Sequence, residues 1–252
     1  MKFLQNIPPY LFFTGKGGVG KTSISCATAI SLAEQGKRVL LVSTDPASNV
    51  GQVFSQTIGN TILPVASVPG LSALEIDPQA AAQEYRARIV DPIKGILPDD
   101  VVNSINEQLS GACTTEIAAF DEFTGLLTDA SLLTRFDHII FDTAPTGHTI
   151  RLLQLPGAWS SFIESNPDGA SCLGPMAGLE KQREQYSHAV QALSDPDRTR
   201  LVLVARLQKT TPQEGARTHD ELAAIGLKKQ YLVLNGGVPE TKAGNETLAA
   251  AI

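Results

Sequence analysis

Residues 15–22 read Gly-Lys-Gly-Gly-Val-Gly-Lys-Thr, and this segment has the clearest chemistry in the chain. It fits the pattern of a glycine, four residues and then Gly-Lys-Ser/Thr, which binds nucleotide phosphates. Glycines let the backbone wrap around a phosphate chain, and the N–H groups of the loop and of the following helix then face the anion. In this pattern Lys21 contacts the β- and γ-phosphates, and the Thr22 hydroxyl holds Mg²⁺. The alternative, a glycine-rich turn without a ligand, is disfavoured because a strand-like run precedes the segment and a helix-like pattern follows it.

Three further polar residues come at or shortly after the ends of apolar, strand-like runs. Asp45 follows 39–42 and is a candidate to orient or deprotonate an attacking water and to lie near Mg²⁺, although a cap before Pro46 explains it equally well. Asp142 follows 138–141 and is the expected second Mg²⁺ group, with a helix cap as the alternative. Asn235 follows 231–234 and could donate to and accept from an adenine edge, or belong to a turn.

Lys16 has no required role in holding the phosphates of its own loop. A lysine at this position could reach the nucleotide of another subunit and neutralise transition-state charge, as an arginine finger does. This hypothesis requires an assembly with two nucleotide sites. The candidate nucleotide-binding residues are therefore Gly15, Lys16, Gly17, Gly18, Val19, Gly20, Lys21, Thr22 and Asn235.

Apolar runs that alternate with helical segments would position these residues. The strand candidates are 10–14, 39–42, 138–141, 201–204 and 231–234, with 74–76 as a weaker one. Near-continuous apolar runs are typical of parallel strands that are buried on both faces. Residues 78–134 and 176–194 are rich in helix formers. We therefore expect one doubly wound, mostly parallel α/β domain over 1–252, of the P-loop NTPase type, with a helical subdomain (about 78–134 and 156–195) above the carboxyl edge of the sheet.

Composition excludes several classes of protein. The chain has 252 residues, 42% of them hydrophobic and 18% charged, and a formal net charge of −6. It contains no basic run that would indicate nucleic-acid binding, no apolar run of bilayer-spanning length and no signal-like N-terminus. Three widely spaced cysteines argue against a disulfide framework, so we expect a cytoplasmic protein. The last residues, 247–252, read as the opening of a helix, which suggests a piece of a longer protein.

The motifs resemble those of a known family. Segment 16–22 resembles the deviant phosphate loop with its signature lysine, and 44–47 and 142–149 are similar to the two switches of one branch of that class. The branch holds the arsenite/antimonite-pump ATPases and the tail-anchored-protein targeting ATPases, and the match runs from Phe12 to Asn235. The resemblance is to the N-terminal half of the pump ATPases. It implies an Mg²⁺-dependent ATPase with Lys16 acting in trans, Asp45 on the attacking water, Asp142 near Mg²⁺ and Asn235 at adenine.

The cysteines bear on the choice between the two sub-branches. Cys26 follows the phosphate loop and is expected in the core; Cys113 precedes a helix expected at about 116–127, where a thiol tends toward thiolate. By spacing alone, Cys113, His148 and Cys172 are two unrelated thiols and a loop histidine. The family resemblance implies instead that these three bind As(III) or Sb(III), and that binding at His148 orders the nearby nucleotide site.

The resemblance also implies partners. These are an integral-membrane arsenite efflux pump that would hold the chain at the membrane periphery, a metalloid chaperone, and a second ATPase half or a second copy that receives Lys16. An isolated half should be weakly active. The alternative function is targeting of tail-anchored membrane proteins, which needs a broad apolar groove; the chain has only 2 methionines. A third alternative, a nucleotide-gated binding module without turnover, is disfavoured because Lys16, Asp45 and Asp142 are all present.

Overall fold

The computed structural model describes residues 2–45, 49–143, 179–206, 220, 223 and 229–236, and these contain a seven-stranded sheet. Its strands in chain order are β1 Tyr10–Thr14, β2 Val39–Ser43, β3 Leu63–Pro64, β4 Leu71–Glu75, β5 His138–Asp142, β6 Thr199–Arg206 and β7 Gln230–Asn235. Their order across the sheet is β3-β4-β2-β5-β1-β6-β7. Every neighbouring pair is parallel except β3 and β4. The mostly parallel α/β sheet expected from the sequence is thus confirmed.

The central position of β1 and β5 sets where a ligand can bind. β1 lies between β5 and β6, and the chain leaves β1 toward one side of the sheet and leaves β5 toward the other. Ligands of open α/β sheets bind at the carboxyl ends of strands where such a reversal occurs. The phosphate loop follows β1, and Asp142 ends β5, so both candidate elements meet at this point.

One face of the sheet is covered by helix α1, Lys21–Glu34. Its buried side chains, including Cys26 and Leu32, pack with alternate strand residues such as Leu11, Phe13 and Leu41. The helix ends at the predicted place, since Gly36 adopts φ +79° and donates its N–H to the Ala33 carbonyl.

Helix α2, Val50–Phe54, lies on the same face as α1, since Val50 belongs to the same buried cluster as Cys26 and Leu32. The other face is covered by α3 Pro78–Val90, α4 Asp99–Gln108, α5 Ala112–Thr128 and α6 Ala130–Arg135. Helix α7, Leu179–Ser194, packs beside α5. Phe123 of α5 lies edge-on to the stacked rings of Phe12 and Phe141, so this layer is joined to the sheet by an aromatic cluster. The described helices of the expected subdomain therefore form a layer across this face of the sheet.

The direction of α5 and α7 determines where their first residues lie. The Tyr10 hydroxyl donates to the Leu127 carbonyl (2.9 Å), so α5 ends at the amino edge of the sheet. Residue 113 lies 14 residues earlier, or about 21 Å at 1.5 Å per residue, whereas β1 spans only about 13 Å. Helix α7 leads directly into the amino end of β6, with the Thr199 hydroxyl on the Ala192 carbonyl (2.7 Å). Both helices therefore begin on the carboxyl side of the sheet.

Three sequence predictions differ from the observed elements. The weak strand candidate 74–76 is observed as Leu71–Glu75, and the short antiparallel β3 was not predicted. Helix α5 starts at Ala112, four residues before the predicted start, so Cys113 lies in its first turn. Within the described ranges no helix combines the length and the hydrophobicity needed to cross a bilayer.

Candidate nucleotide-binding site

The loop between β1 and α1 is a cradle built from glycine backbone. Gly15, Gly18 and Gly20 all have φ between +76° and +155°, a region that other residues rarely adopt. A Cβ at Gly15 would collide with the Val204 carbonyl of β6, so the loop sits tightly on the neighbouring strand. At Gly17 and Gly18, by contrast, no atom of the described residues lies within 4 Å of a Cβ position. This open space above the loop is where the phosphates of a nucleotide would fit.

The first turn of α1 presents its backbone N–H groups to the same space. The N-cap residue of the helix is Gly20, which has no side chain to accept hydrogen bonds from the N–H groups of the first turn. Helix N-terminal N–H groups without such a cap are donors for an anion, and the helix dipole favours negative charge there. Lys16 is exposed at the rim of the loop, where a partner molecule could be reached.

Lys21 is held in place while its charge is only partly compensated. It is buried at the start of α1, and its ammonium donates to the Lys16 carbonyl (3.3 Å). Burial lowers the pKa of Lys21, and the negative charges of Asp142 and Asp45 oppose this effect. A buried ammonium at the edge of an anion cradle is suited to phosphate binding.

Asp142 and Thr22 form the other half of the site. The Thr22 hydroxyl donates to Asp142 Oδ2 (2.7 Å), which brings the last residue of β5 to the first turn of α1. Asp142 Oδ1 is buried and has no partner in the described part of the chain. Burial raises the pKa of Asp142 to about 6, although the Thr22 hydrogen bond and the Lys21 charge act in the opposite direction. A buried, unsatisfied carboxylate oxygen beside a threonine hydroxyl is the oxygen-ligand chemistry that suits Mg²⁺, so these residues fit the ion.

Asp45 lies at the same edge as Asp142. The Thr44 N–H donates to the Asp142 carbonyl (2.9 Å), and the Asp45 N–H approaches the Ser43 hydroxyl (3.3 Å). The exits of β2 and β5 are therefore tied together, with Asp45 one residue beyond the tie. The possible cap role before Pro46 falls on residues outside the described part of the chain.

Asn235 contacts the phosphate loop, which the sequence analysis did not foresee. Its side-chain amide donates to the Val19 carbonyl (2.8 Å), and a Cβ on Gly20 would collide with the same amide. The end of β7 thereby supports the back of the loop. This contact leaves the predicted role at adenine untested.

The predicted metalloid ligands are placed only in part. Cys113 is described by its backbone, in the first turn of α5, whereas His148 and Cys172 lie outside the described residues. Cys26 is 2% exposed, and burial raises the pKa of its thiol to about 12, so it belongs to the core, as expected. Among the described residues there is no cluster of three or more His, Cys, Asp or Glu side chains that could hold a metal ion.

Comparison with known proteins identifies the family. The family model described as "Anion-transporting ATPase" matches residues 9–251. The chain belongs to this family. It is 89% identical over all 252 residues to an arsenical pump-driving ATPase of Escherichia coli, and 87% identical over the same length to a protein of that name from Acidiphilium multivorum. The resemblance stated from the phosphate loop and the two switches is confirmed. The chain spans 43% of each of these relatives, which is less than half of their length.

Proposed function

We propose that residues 1–252 form one P-loop ATPase domain that binds Mg·ATP and whose hydrolysis is stimulated by trivalent arsenic or antimony. The observation that carries the nucleotide part is the convergence of the open glycine cradle, the buried Lys21 ammonium and the Thr22–Asp142 pair at one point of the sheet. The metalloid part rests on the family and on relatives whose names describe an arsenical pump-driving ATPase.

In this proposal each residue has one task. Backbone N–H groups of the loop and of α1 bind the phosphates, and Lys21 neutralises charge on the β- and γ-phosphates. Thr22 and Asp142 hold Mg²⁺, directly or through water, and the bound ion would polarise phosphoryl oxygens. Asp45 orients the attacking water, Asn235 contacts adenine, and Lys16 stabilises transition-state charge at the site of a partner.

The backbone supports a metalloid site at the carboxyl edge. Helix α5 carries Cys113 in its first turn, on the carboxyl side of the sheet. His148 is five residues beyond Thr143, which is fixed at the same edge by its hydroxyl on the Phe13 carbonyl (2.7 Å). Cys172 is seven residues before Leu179, where α7 begins. Seven residues reach at most about 25 Å, so the sequence separations allow the three proposed ligands to meet on the carboxyl side of the sheet. Thiolates with an imidazole suit a soft trivalent metalloid.

The proposed cellular setting follows from the family. The domain would act from the cytoplasm at the membrane periphery, energise an integral-membrane arsenite efflux pump and receive metalloid from a chaperone. A second ATPase half or a second copy of the chain would supply the other nucleotide site, into which Lys16 reaches. A monomer that hydrolyses ATP at the full metalloid-stimulated rate would contradict this role of Lys16.

The test is the Mg²⁺-ATPase rate with and without antimonite, on the parent chain, on Cys113→Ser and on the matched control Cys26→Ala. We expect antimonite to raise the ATPase rate of the parent and of Cys26→Ala but not that of Cys113→Ser, because of these two cysteines only Cys113 is a proposed ligand. Hydrolysis indifferent to antimonite in the parent would contradict the metalloid proposal and favour the targeting of tail-anchored proteins. Absence of Mg·ATP binding would contradict the ATPase proposal itself.

A further inference from the structure

The segment that carries Asp45 is fixed to the sheet at its upstream end. Ser43, the last residue of β2, lies between Asp142 of β5 and Glu75 of β4 in the strand register. The Ser43 carbonyl accepts the Ile76 N–H (3.0 Å), and the Thr44 N–H donates to the Asp142 carbonyl (2.9 Å). The chain is thus well determined up to the residue before Asp45.

The downstream end of the same segment is held by the burial of Val50 in the core and by a side-chain hydrogen bond. Helix α2, Val50–Phe54, has five residues, which is too short for stability without tertiary contacts. The Gly51 N–H in its first turn donates to Glu75 Oε1 (3.0 Å). The turn packs closely, since the Gln56 N–H donates to the Gly51 carbonyl (3.0 Å) and a Cβ on Gly51 would lie 2.9 Å from the Gln56 carbonyl oxygen.

These two attachments meet at neighbouring residues. Glu75 and Ser43 are register partners at the carboxyl edge, so both ends of the segment 44–50 are tied to adjacent positions of one rigid sheet. A loop with two fixed ends samples fewer conformations than a loop with one, and misplacement of a reacting group by about 1 Å can reduce a rate by up to about 100-fold.

We propose that Glu75 is a positioning residue for hydrolysis: its carboxylate fixes the downstream end of segment 44–50 and thereby limits the positions that Asp45 can take beyond the end of β2. The inference rests on the proposed function, since it assigns Glu75 a role through Asp45. Glu75 accepts from Gly51 of α2, which follows β2, whereas the glycine cradle lies between β1 and α1, so its effect should fall on the rate of hydrolysis and not on nucleotide affinity.

The experiment compares Glu75→Ala with Glu75→Gln and with Gln56→Ala. A glutamine retains an oxygen that accepts the Gly51 N–H, so Glu75→Gln separates the hydrogen bond from the charge. Gln56 provides the matched control, because its side chain joins the exit of α2 to the β3 region through the Pro64 carbonyl and the Ala66 N–H (2.9 Å each). Two measurements are made on each protein: kcat and KM for Mg·ATP, and hydrogen exchange of amides 44–51.

We expect Glu75→Ala to lower kcat about tenfold, with KM for Mg·ATP within about twofold of the parent and faster exchange of amides 44–51. Glu75→Gln and Gln56→Ala should both resemble the parent in kcat and in the exchange rate of amides 44–51. Unchanged kcat in Glu75→Ala would overturn the inference. A loss of kcat accompanied by an equal rise in KM and a fall in Tm would also overturn it, because a merely structural role predicts that pattern.

The exchange measurement separates this inference from the proposed function. If the parent binds no Mg·ATP and hydrolyses none, the ATPase proposal fails and the role of Glu75 in hydrolysis fails with it. If the parent hydrolyses ATP and exchange of amides 44–51 in Glu75→Ala equals that of the parent, the inference alone fails, since Glu75 then does not hold the segment.

Discussion

The two edges of the sheet use their charged groups in opposite ways. At the amino edge the charged groups hold chain segments together. Arg38 contacts both carboxylate oxygens of Asp137 (2.8 Å from its backbone N–H and 2.7 Å from Nη2) and donates to the Thr134 carbonyl. Arg200, 1% exposed, donates to the carbonyls of Phe3, Gln5 and Asn6, although its Nε has no partner among the described residues.

At the carboxyl edge the charged groups are buried with part of their bonding capacity unused. Asp142 keeps one oxygen without a described partner, and the hydrogen bond that Lys21 makes within the described residues is a long one to the Lys16 carbonyl (3.3 Å). Burying such groups is unfavourable unless a ligand completes their interactions. The two edges of the same strands therefore differ in degree: the side chains of Arg200 and Asp137 each make several hydrogen bonds within the protein, whereas those of Asp142 and Lys21 each make one to the described residues. That difference indicates which edge is for binding.

The largest effect should come from replacing Asp142, the last residue of β5, with Asp137, the residue before β5, replaced for comparison. Asp142→Asn removes a proposed Mg²⁺ group while an amide oxygen can still accept from Thr22, so we expect ATP hydrolysis to fall on the order of 100-fold. Asp137→Asn, five residues away at the other edge, should leave hydrolysis unchanged and lower Tm by a few degrees at most, since this ion pair is largely exposed. Steady-state Mg²⁺-ATPase assays measure both. Equal rates in the two variants would remove the contrast between the edges.

The second effect concerns stability at the amino edge. Replacing Arg200 by Met keeps an unbranched side chain but leaves the carbonyls of Phe3, Gln5 and Asn6 without their donor. Hydrogen bonds to a buried charge predict a loss of about 3 kcal/mol in the free energy of unfolding. Urea denaturation measures this loss, and nucleotide affinity should stay within about twofold. A large loss of affinity with little loss of stability would show that the amino edge is not purely structural.

Much of the fold could be predicted from the sequence, because buried parallel strands give continuous apolar runs and the phosphate loop fixes the order of the first elements. β3 could not, since Leu63–Pro64 has two exposed residues and includes a proline. The start of α5 was placed late because Gly111 caps it without a side chain.

Some residues of the candidate site could likewise be predicted from the sequence, and others could not. Lys21, Thr22 and Asp142 follow from local motifs, and the structure brings them together. Asn235 is 216 residues from Val19, so no local pattern could reveal its contact with the loop. Glu75 lies inside the weak strand candidate 74–76 and was not singled out, because its partner, the Gly51 N–H, is a backbone group that no residue type reveals.

The smallest effect is a difference in pH dependence between the same two aspartates, in protein without Mg²⁺. The Arg38 hydrogen bonds lower the pKa of Asp137 to about 2, so its stabilisation is complete above its unfolded pKa near 3.8 and is lost as the pH falls through 2. Burial raises the pKa of Asp142 to about 6, so its favourable contribution is present below 3.8 and is lost as the pH rises through 6. That loss is at most about 3 kcal/mol, at 1.36 kcal/mol per pKa unit.

At neutral pH the two asparagine variants should therefore change the Tm in opposite directions. In EDTA at pH 7.5, Asp142→Asn should have a higher Tm than the parent, because it removes a buried charge that Thr22 and Lys21 compensate only in part, whereas Asp137→Asn should have a slightly lower one. Between pH 4.5 and pH 7.5 the gain from Asp142→Asn should grow while the loss from Asp137→Asn stays constant, since Asp137 titrates below this range in both the folded and the unfolded state. Adding Mg²⁺ at pH 7.5 should raise the Tm of the parent and of Asp137→Asn more than that of Asp142→Asn. A constant difference for Asp142→Asn across this range would mean that its carboxylate is already satisfied without a ligand, and the two edges would then not differ in this way.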